Sequence, residues 1–250
     1  MSNRPLSRWQ LELFLKCPRC FWLLRRYGVD QPKGYPLALN QAMDTLLKGE
    51  FDAYRSKGEP HPIQANHCVA GEDGALADLS AGPVRARLFP ERVLLQEWRN
   101  NRRGVRWVDE FTGYTLFGAI DDLLEFPDGR LAVLDYKSSG AAQITVYPSY
   151  RFQLEVYTFL LSQMGYPTAG EGYLAYFLAV KDDGFEGRLP FRGTLVRVAL
   201  DPEPVIDRFR EAVAAAESGR EPPPGEECDL CRWREEVDLA LGKKAARQPA

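Results

Sequence analysis

Residues 118–140, GAIDDLLEFPDGRLAVLDYKSSG, constrain this chain more than any other stretch of it. Phe117 to Phe126 is mostly apolar and runs into Pro127-Asp128-Gly129, a turn signal. Arg130 to Leu134 then leads, through Leu-Ala-Val-Leu, into Asp135-Tyr136-Lys137. Two antiparallel strands joined by that turn bring Asp121 and Asp135 to one end of a sheet. Side chains alternate along a strand, so Lys137 returns to the face of Asp135. Two clustered carboxylates suit a hard, oxygen-seeking cation. Metal and ammonium together are the equipment of metal-assisted phosphodiester hydrolysis. Asp122 points to the opposite face if the strand is regular. It is expected to be solvated or to assist rather than to bind metal, and only a β-bulge would reverse that.

The rest of the chain reads as alternating helices and strands. Ser7 caps a helix whose apolar residues Leu11, Phe14, Leu15, Trp22 and Leu23 recur at helical spacing to about Tyr27, where Gly28 ends it. A second helix spans about Leu37 to Lys57. Residues 58–83, rich in turn signals, read as a long irregular insertion. Strands are expected near 105–111, 114–126, 131–137, 172–180 and 194–200. An amphipathic helix is expected over 149–165 and another helix over 202–218. In the first of these, Gln153 and Tyr157 stand one turn apart on one face.

In this order, Gly118-Ala119-Ile120-Asp121, Asp135-Tyr136-Lys137 and Gln153-Leu154-Glu155-Val156-Tyr157 resemble the G-x-h-D, D-x-K and Q-x-x-x-Y motifs of the PD-(D/E)XK nuclease superfamily, in its RecB-like branch. The resemblance implies an α/β, restriction-endonuclease-like core: a central mixed sheet flanked by helices. It implies one domain over 1–250, with an N-terminal helical part (1–57), the insertion (58–83), a nuclease core (100–217), a C-terminal cysteine segment (221–234) and a frayed tail (242–250). Asp121 and Asp135 would hold Mg²⁺ or Mn²⁺, with the Tyr136 carbonyl as a further ligand. Lys137 would orient or deprotonate the attacking water, and Gln153 would position either. Tyr157 and Arg151 would contact the DNA strand. Such proteins often carry a metal-binding histidine in the segment that here is residues 39–52, which has none. Asp44 or Glu50 would replace it, with Asp44 preferred; His61 and His67 fall in the insertion.

Cys17-Pro18-Arg19-Cys20 and Cys228-Asp229-Leu230-Cys231 form two C-x₂-C pairs. Four thiolates suit zinc or an iron–sulfur centre. The fifth cysteine, Cys68, reads as a small buried residue. In the resembled branch, one cysteine before the core and three after it staple the fold around a 4Fe–4S cluster. The two-and-two pattern here departs from that. That departure keeps zinc and 2Fe–2S open, while the resemblance favours 4Fe–4S.

The net charge of −3 over 250 residues gives no global attraction for nucleic acid. DNA, single-stranded or with free ends, would have to meet a local basic face. Arg102, Arg103 and Arg106, with Arg25 and Arg26, are the candidates, and Trp98 and Trp107 could stack on bases. No apolar run approaches the roughly 18–20 residues of a membrane span, and MSNRPLSRWQ lacks a signal-peptide core. A cytoplasmic protein with reduced thiols is the expectation, with a helicase, repair or CRISPR protein as partner. Two other readings are a DNA-binding module on this fold without turnover, and a metal-stapled protein-interaction scaffold.

Overall fold

The computed structural model describes residues 4–32, 34, 38–65, 68–72, 75–81, 84–182 and 184–242, and for 68–81 the backbone alone. Its elements begin with β1 (Arg4–Ser7), α1 (Arg8–Lys16), α2 (Pro18–Tyr27), α3 (Ala38–Lys57), α4 (Pro62–Ala65), β2 (Cys68–Glu72) and β3 (Ala75–Ala81). Next come β4 (Arg87–Leu88), α5 (Arg92–Trp98), β5 (Val105–Val108), β6 (Tyr114–Gly118), β7 (Asp122–Glu125) and β8 (Leu131–Ser139). The chain closes with α6 (Pro148–Gln163), β9 (Glu171–Ala179), β10 (Phe191–Ala199), α7 (Val205–Glu217) and α8 (Asp229–Ala240). They form two compact units, Met1–Pro5 with Pro36–Val205 and Leu6–Tyr35 with Ile206–Ala250.

The first unit is built on a seven-stranded sheet in the order β3-β2-β10-β9-β8-β7-β4. It is mixed: β8 and β9 run parallel, as do β10 and β2, while β7–β8 and β9–β10 are antiparallel. The expected Pro-Asp-Gly turn is present. Gly129 (φ 83°) donates to the Phe126 carbonyl at 2.9 Å and closes the β7–β8 hairpin. Even-numbered residues of β8 (Ala132, Leu134, Tyr136) join a core with Leu47 and Phe51 of α3 and with Tyr173, Ala175 and Phe177 of β9. The odd-numbered residues face the other side, where α6 packs. That alternation sends Asp135 and Lys137 one way and Tyr136 the other.

In this unit three expectations change. The single strand over 114–126 is cut at 119–121: β6 belongs to a smaller sheet with β5, and β7 to the large one. Gly104 marks this junction. With φ 53° it lies so near Gly118 that a Cβ would stand 2.1 Å from the Gly118 carbonyl oxygen. The stretch 58–83, expected to be irregular, contains α4, β2 and β3, and β2 extends the sheet by pairing with β10. Main-chain pairing to a distant strand overrides its weak local signal. His67 and the Cys68 side chain lie outside the described residues. Finally, α6 is not simply amphipathic, because buried residues follow one another from Val156 to Leu161.

In the second unit, Ser7 and Gln10 cap α1 reciprocally at 3.0 and 3.2 Å. The single helix expected to Tyr27 breaks at Cys17, whose extended backbone (φ −156°) ends α1 and caps α2. Pro18 then occupies the first position of α2, where its missing N–H costs nothing. Gly28 (φ 68°) ends α2 as expected. The Trp22 indole donates to the Ser218 carbonyl at 2.9 Å, tying α2 to the chain after α7. Of the tail expected from 242, residues 243–250 lie outside the described residues.

Candidate functional site

The β7–β8 register pairs Asp122 with Leu134, so Asp121, one step earlier, comes abreast of Asp135. Asp121 Oδ2 accepts the Tyr136 backbone N–H at 3.4 Å. Asp135 is 1% exposed, and each of its oxygens is addressed differently. Oδ1 accepts from Gln153 Nε2 at 2.7 Å. Oδ2 faces the Lys137 ammonium at 2.6 Å, but off the hydrogen-bond axis, so this buried oxygen has no well-directed donor. Lys137 also donates to Gln153 Oε1 at 3.2 Å, and its ammonium stands 4.2 Å over the Tyr150 ring. One turn of α6 thus supplies a glutamine that holds both the carboxylate and the lysine.

Burial pushes Asp135 up; Lys137 opposes this and Asp121 adds to it, leaving the carboxyl at about 6. A buried oxygen without a directed donor, abreast of a second carboxylate, fits an oxygen-seeking divalent ion. Gln153 has the environment that an inward-facing glutamine needs. Tyr157 is buried at 4% exposure, one turn further along α6. Arg151 donates to the Ala199 carbonyl at 2.8 Å, tying α6 to the end of β10.

Asp122, expected to be solvated or to assist, is 0% exposed, so it is not solvated. Its carboxylate pairs with Arg55 and, at 3.1 Å, with Arg99, and it accepts the Tyr136 hydroxyl. Arg99 also donates to the Asp121 carbonyl at 2.6 Å and to Asp52 at 2.9 Å. Arg55 bonds the Phe89 carbonyl at 2.7 Å. This network lies behind the site and fixes Asp121-Asp122 and Tyr136 from the far face. Burial, then the Asp122 charge, hold the Tyr136 hydroxyl well above its ordinary range, so it stays a proton donor. The one sequence hint was an apolar strand carrying two consecutive aspartates. Alternation then required one of them to point into the core.

Where the histidine was missing, α3 supplies Lys48. Its ammonium lies 2.8 Å from Asp44 and 3.0 Å from Asp121 Oδ1. Burial would lower its affinity for the proton, but the Asp121 and Asp44 carboxylates reverse this and raise it. Asp44, the residue preferred from sequence, shares the Lys48 ammonium with Asp121. Glu50 pairs instead with His61 at 3.0 Å, and the His61 ring stacks on Phe51 at 4.0 Å. Of the two tryptophans, which the sequence left open between base stacking and the core, Trp98 is 3% exposed and packs against Phe89 and Tyr166, while Trp107 is half-buried and edge-on to Phe159. Arg102, Arg103 and Arg106 are on the surface, where Arg106 donates to the Arg102 and Arg103 carbonyls.

In the second unit, Cys17, Cys20, Cys228 and Cys231 are buried, with their sulfurs within 4.8 Å of one another. Cys17–Cys231 and Cys20–Cys228 are 3.7 Å apart, and Cys20–Cys231 3.6 Å. Sulfurs bound at ~2.3 Å to one tetrahedral ion stand about 3.8 Å apart. A four-iron cage puts each thiolate on a different iron and spreads them further. The three separations are close to the single-ion value. Burial pushes the Cys20 and Cys231 thiols up, whereas at Cys17 the Gly225 and Cys20 N–H groups outweigh burial and bring the thiol down to about 7. Gly225 approaches so closely that a Cβ would stand 2.0 Å from the Lys16 carbonyl oxygen. Arg19 adds ion pairs to Glu221 and Glu235, each at 2.9 Å.

A mixed sheet flanked by helices, with Asp135 and Lys137 on β8 and Asp121 just before β7, is consistent with a PD-(D/E)XK-type fold. The chain belongs to the PD-(D/E)XK nuclease superfamily, whose family model matches residues 5–235. A solved structure described as "Crystal structure of SSO0001" is similar over 94% of this chain and 86% of that one, at 15% sequence identity and a TM-score of 0.42. No curated protein matches the chain. Among the described residues, no helix is long and apolar enough to cross a membrane.

Proposed function

We propose that the chain is a divalent-metal-dependent nuclease that hydrolyses phosphodiester bonds in DNA. The observation that carries this reading is the convergence of Asp121, Asp135, Lys137 and Gln153 around the undirected Asp135 oxygen. Asp121 and Asp135 would hold Mg²⁺ or Mn²⁺, which supplies Lewis-acid polarisation of a phosphoryl oxygen and a water of lowered pKa. Lys137, steadied by Asp135, Gln153 and the Tyr150 ring, would orient that water and meet the negative charge growing at phosphorus. Gln153 accepts from the lysine at 3.2 Å and would steady it for this role. The RecB-like motifs support single strands or free ends as substrate, in repair, recombination or CRISPR-related processing.

The thiolate centre would be structural. Its spacing supports one zinc-like ion over the 4Fe–4S cluster expected from the resembled branch. Lys48 on Asp121, where relatives carry a histidine, favours a second reading: a DNA-binding module on this fold without turnover.

Cleavage of labelled single- and double-stranded DNA with Mg²⁺, Mn²⁺ or EDTA tests the first reading, alongside Asp135→Ala and Lys137→Ala. Metal-dependent cutting lost in both variants supports the nuclease. Salt-sensitive binding without cutting supports the second reading.

A further inference from the structure

Lys48 has no counterpart in the motifs, yet it is built into the site. It projects from α3, which Leu47 and Phe51, buried at 4% and 0% exposure, anchor in the core. The side chain itself is 26% exposed and stands at the rim. Its ammonium bridges Asp44 and Asp121, at 2.8 and 3.0 Å. A second divalent ion bridging those same carboxylates would need the space the ammonium fills.

The charges agree. Asp44, Asp121 and Asp135 face the ammoniums of Lys48 and Lys137, so the cluster is one positive charge short of neutral. One divalent ion on Asp121 and Asp135 slightly overshoots that deficit. A second would leave the cluster strongly positive, and the two ammoniums would repel it. We propose that Lys48 takes the place of a second catalytic cation, so that the carboxylate cluster binds one divalent ion and excludes another. This rests on the nuclease reading for the identity of the first ion's ligands. It adds that the chain itself supplies the second positive charge.

Counting bound Mn²⁺ by electron paramagnetic resonance, with calorimetry alongside, tests the proposal without relying on turnover. Manganese seeks oxygen ligands and leaves the thiolate centre to softer ions. The intact chain is expected to bind one Mn²⁺ at this cluster. Lys48→Ala should bind two. Lys48→Arg should return to one, and Asp44→Asn in the Lys48→Ala background should also return to one by removing the bridging carboxylate. Lys48→Gln, which keeps most of the stem, serves if the alanine variant folds poorly, and it too should bind two. Two ions in the intact chain, or one in both Lys48→Ala and Lys48→Gln, would overturn the proposal. Asp135→Ala should bind none. Unchanged binding there would instead remove the carboxylate pair as the metal site, whatever the Lys48 variants do.

Discussion

Replacing Asp122 with alanine removes one of the two carboxylates, with Asp52, that Arg55 and Arg99 share. Their side chains are 2% and 6% exposed, and that of Asp122 is 0%. Neither guanidinium can reach bulk water to recover what it loses. Removing one member of such a buried set costs about 3–5 kcal/mol, because the remaining charges stay buried with less compensation. The Tyr136 hydroxyl loses its acceptor as well, worth roughly 1–3 kcal/mol if nothing replaces it. Asp52 still holds both arginines, so the lower end of the sum is expected, about 4 kcal/mol. That is a large share of a total stability of about 5–15 kcal/mol. With a urea slope of about 2 kcal/mol per molar, the unfolding midpoint should fall by roughly 2 M. Urea unfolding followed by circular dichroism measures this. Asp122→Asn, which keeps shape and hydrogen bonding but not charge, should lose less. Mn²⁺ affinity should weaken in both variants, since Arg99 also grips the Asp121 carbonyl. An Asp122→Ala midpoint within about 0.5 M of the parent would refute the argument that these charges depend on Asp122.

The Asp135 carboxyl, pushed up to about 6, holds its proton below that pH, so Mn²⁺ affinity should fall about tenfold per pH unit below pH 6 and level off above it. The sign for folding follows from the same shift: protonation favours the metal-free fold, so this group's contribution is present below about pH 4 and lost as pH rises through 6. Titrations between pH 4 and 8 check both, and affinity that stays flat down to pH 4 would contradict the assignment. Gly225→Ala should cost the second unit its bound metal and lower its melting temperature, because the new Cβ meets the Lys16 and Cys17 backbone; metal content by mass spectrometry and a thermal melt report it. Protein purified without oxygen should carry about one zinc ion per chain and no absorption near ~400 nm. Stripping that ion should unfold the second unit, given the roughly 10 kcal/mol that structural zinc contributes. A brown protein holding about four irons would count against the spacing argument.

Much of the site was legible before any coordinates. Asp121, Asp135 and Lys137 could be placed together because strand alternation and the Pro-Asp-Gly turn are local steric effects, decided within a few residues. The two C-x₂-C pairs could be read for the same reason. What escaped was settled over long separations. Asp122 becomes a buried anchor because Arg55, 67 residues away, and Arg99, 23 away, reach it. Whether an aspartate meets water or two arginines cannot be read from its neighbours. The strands within 58–83 exist because β10, more than a hundred residues later, pairs with β2. The break between β6 and β7 follows from the two halves joining different sheets. Lys48 is one more charged residue on a helix until the fold sets it against Asp121.

By itself, then, the sequence determined the hairpin, the facing of its carboxylates and lysine, and the pairing of cysteines within each C-x₂-C, all consequences of short-range backbone geometry. Only the tertiary structure decided which charges neutralise which, how closely the four sulfurs converge, and which cation stands on Asp121. Electrostatic satisfaction and metal spacing depend on groups brought together by loop closure, and no local pattern encodes that.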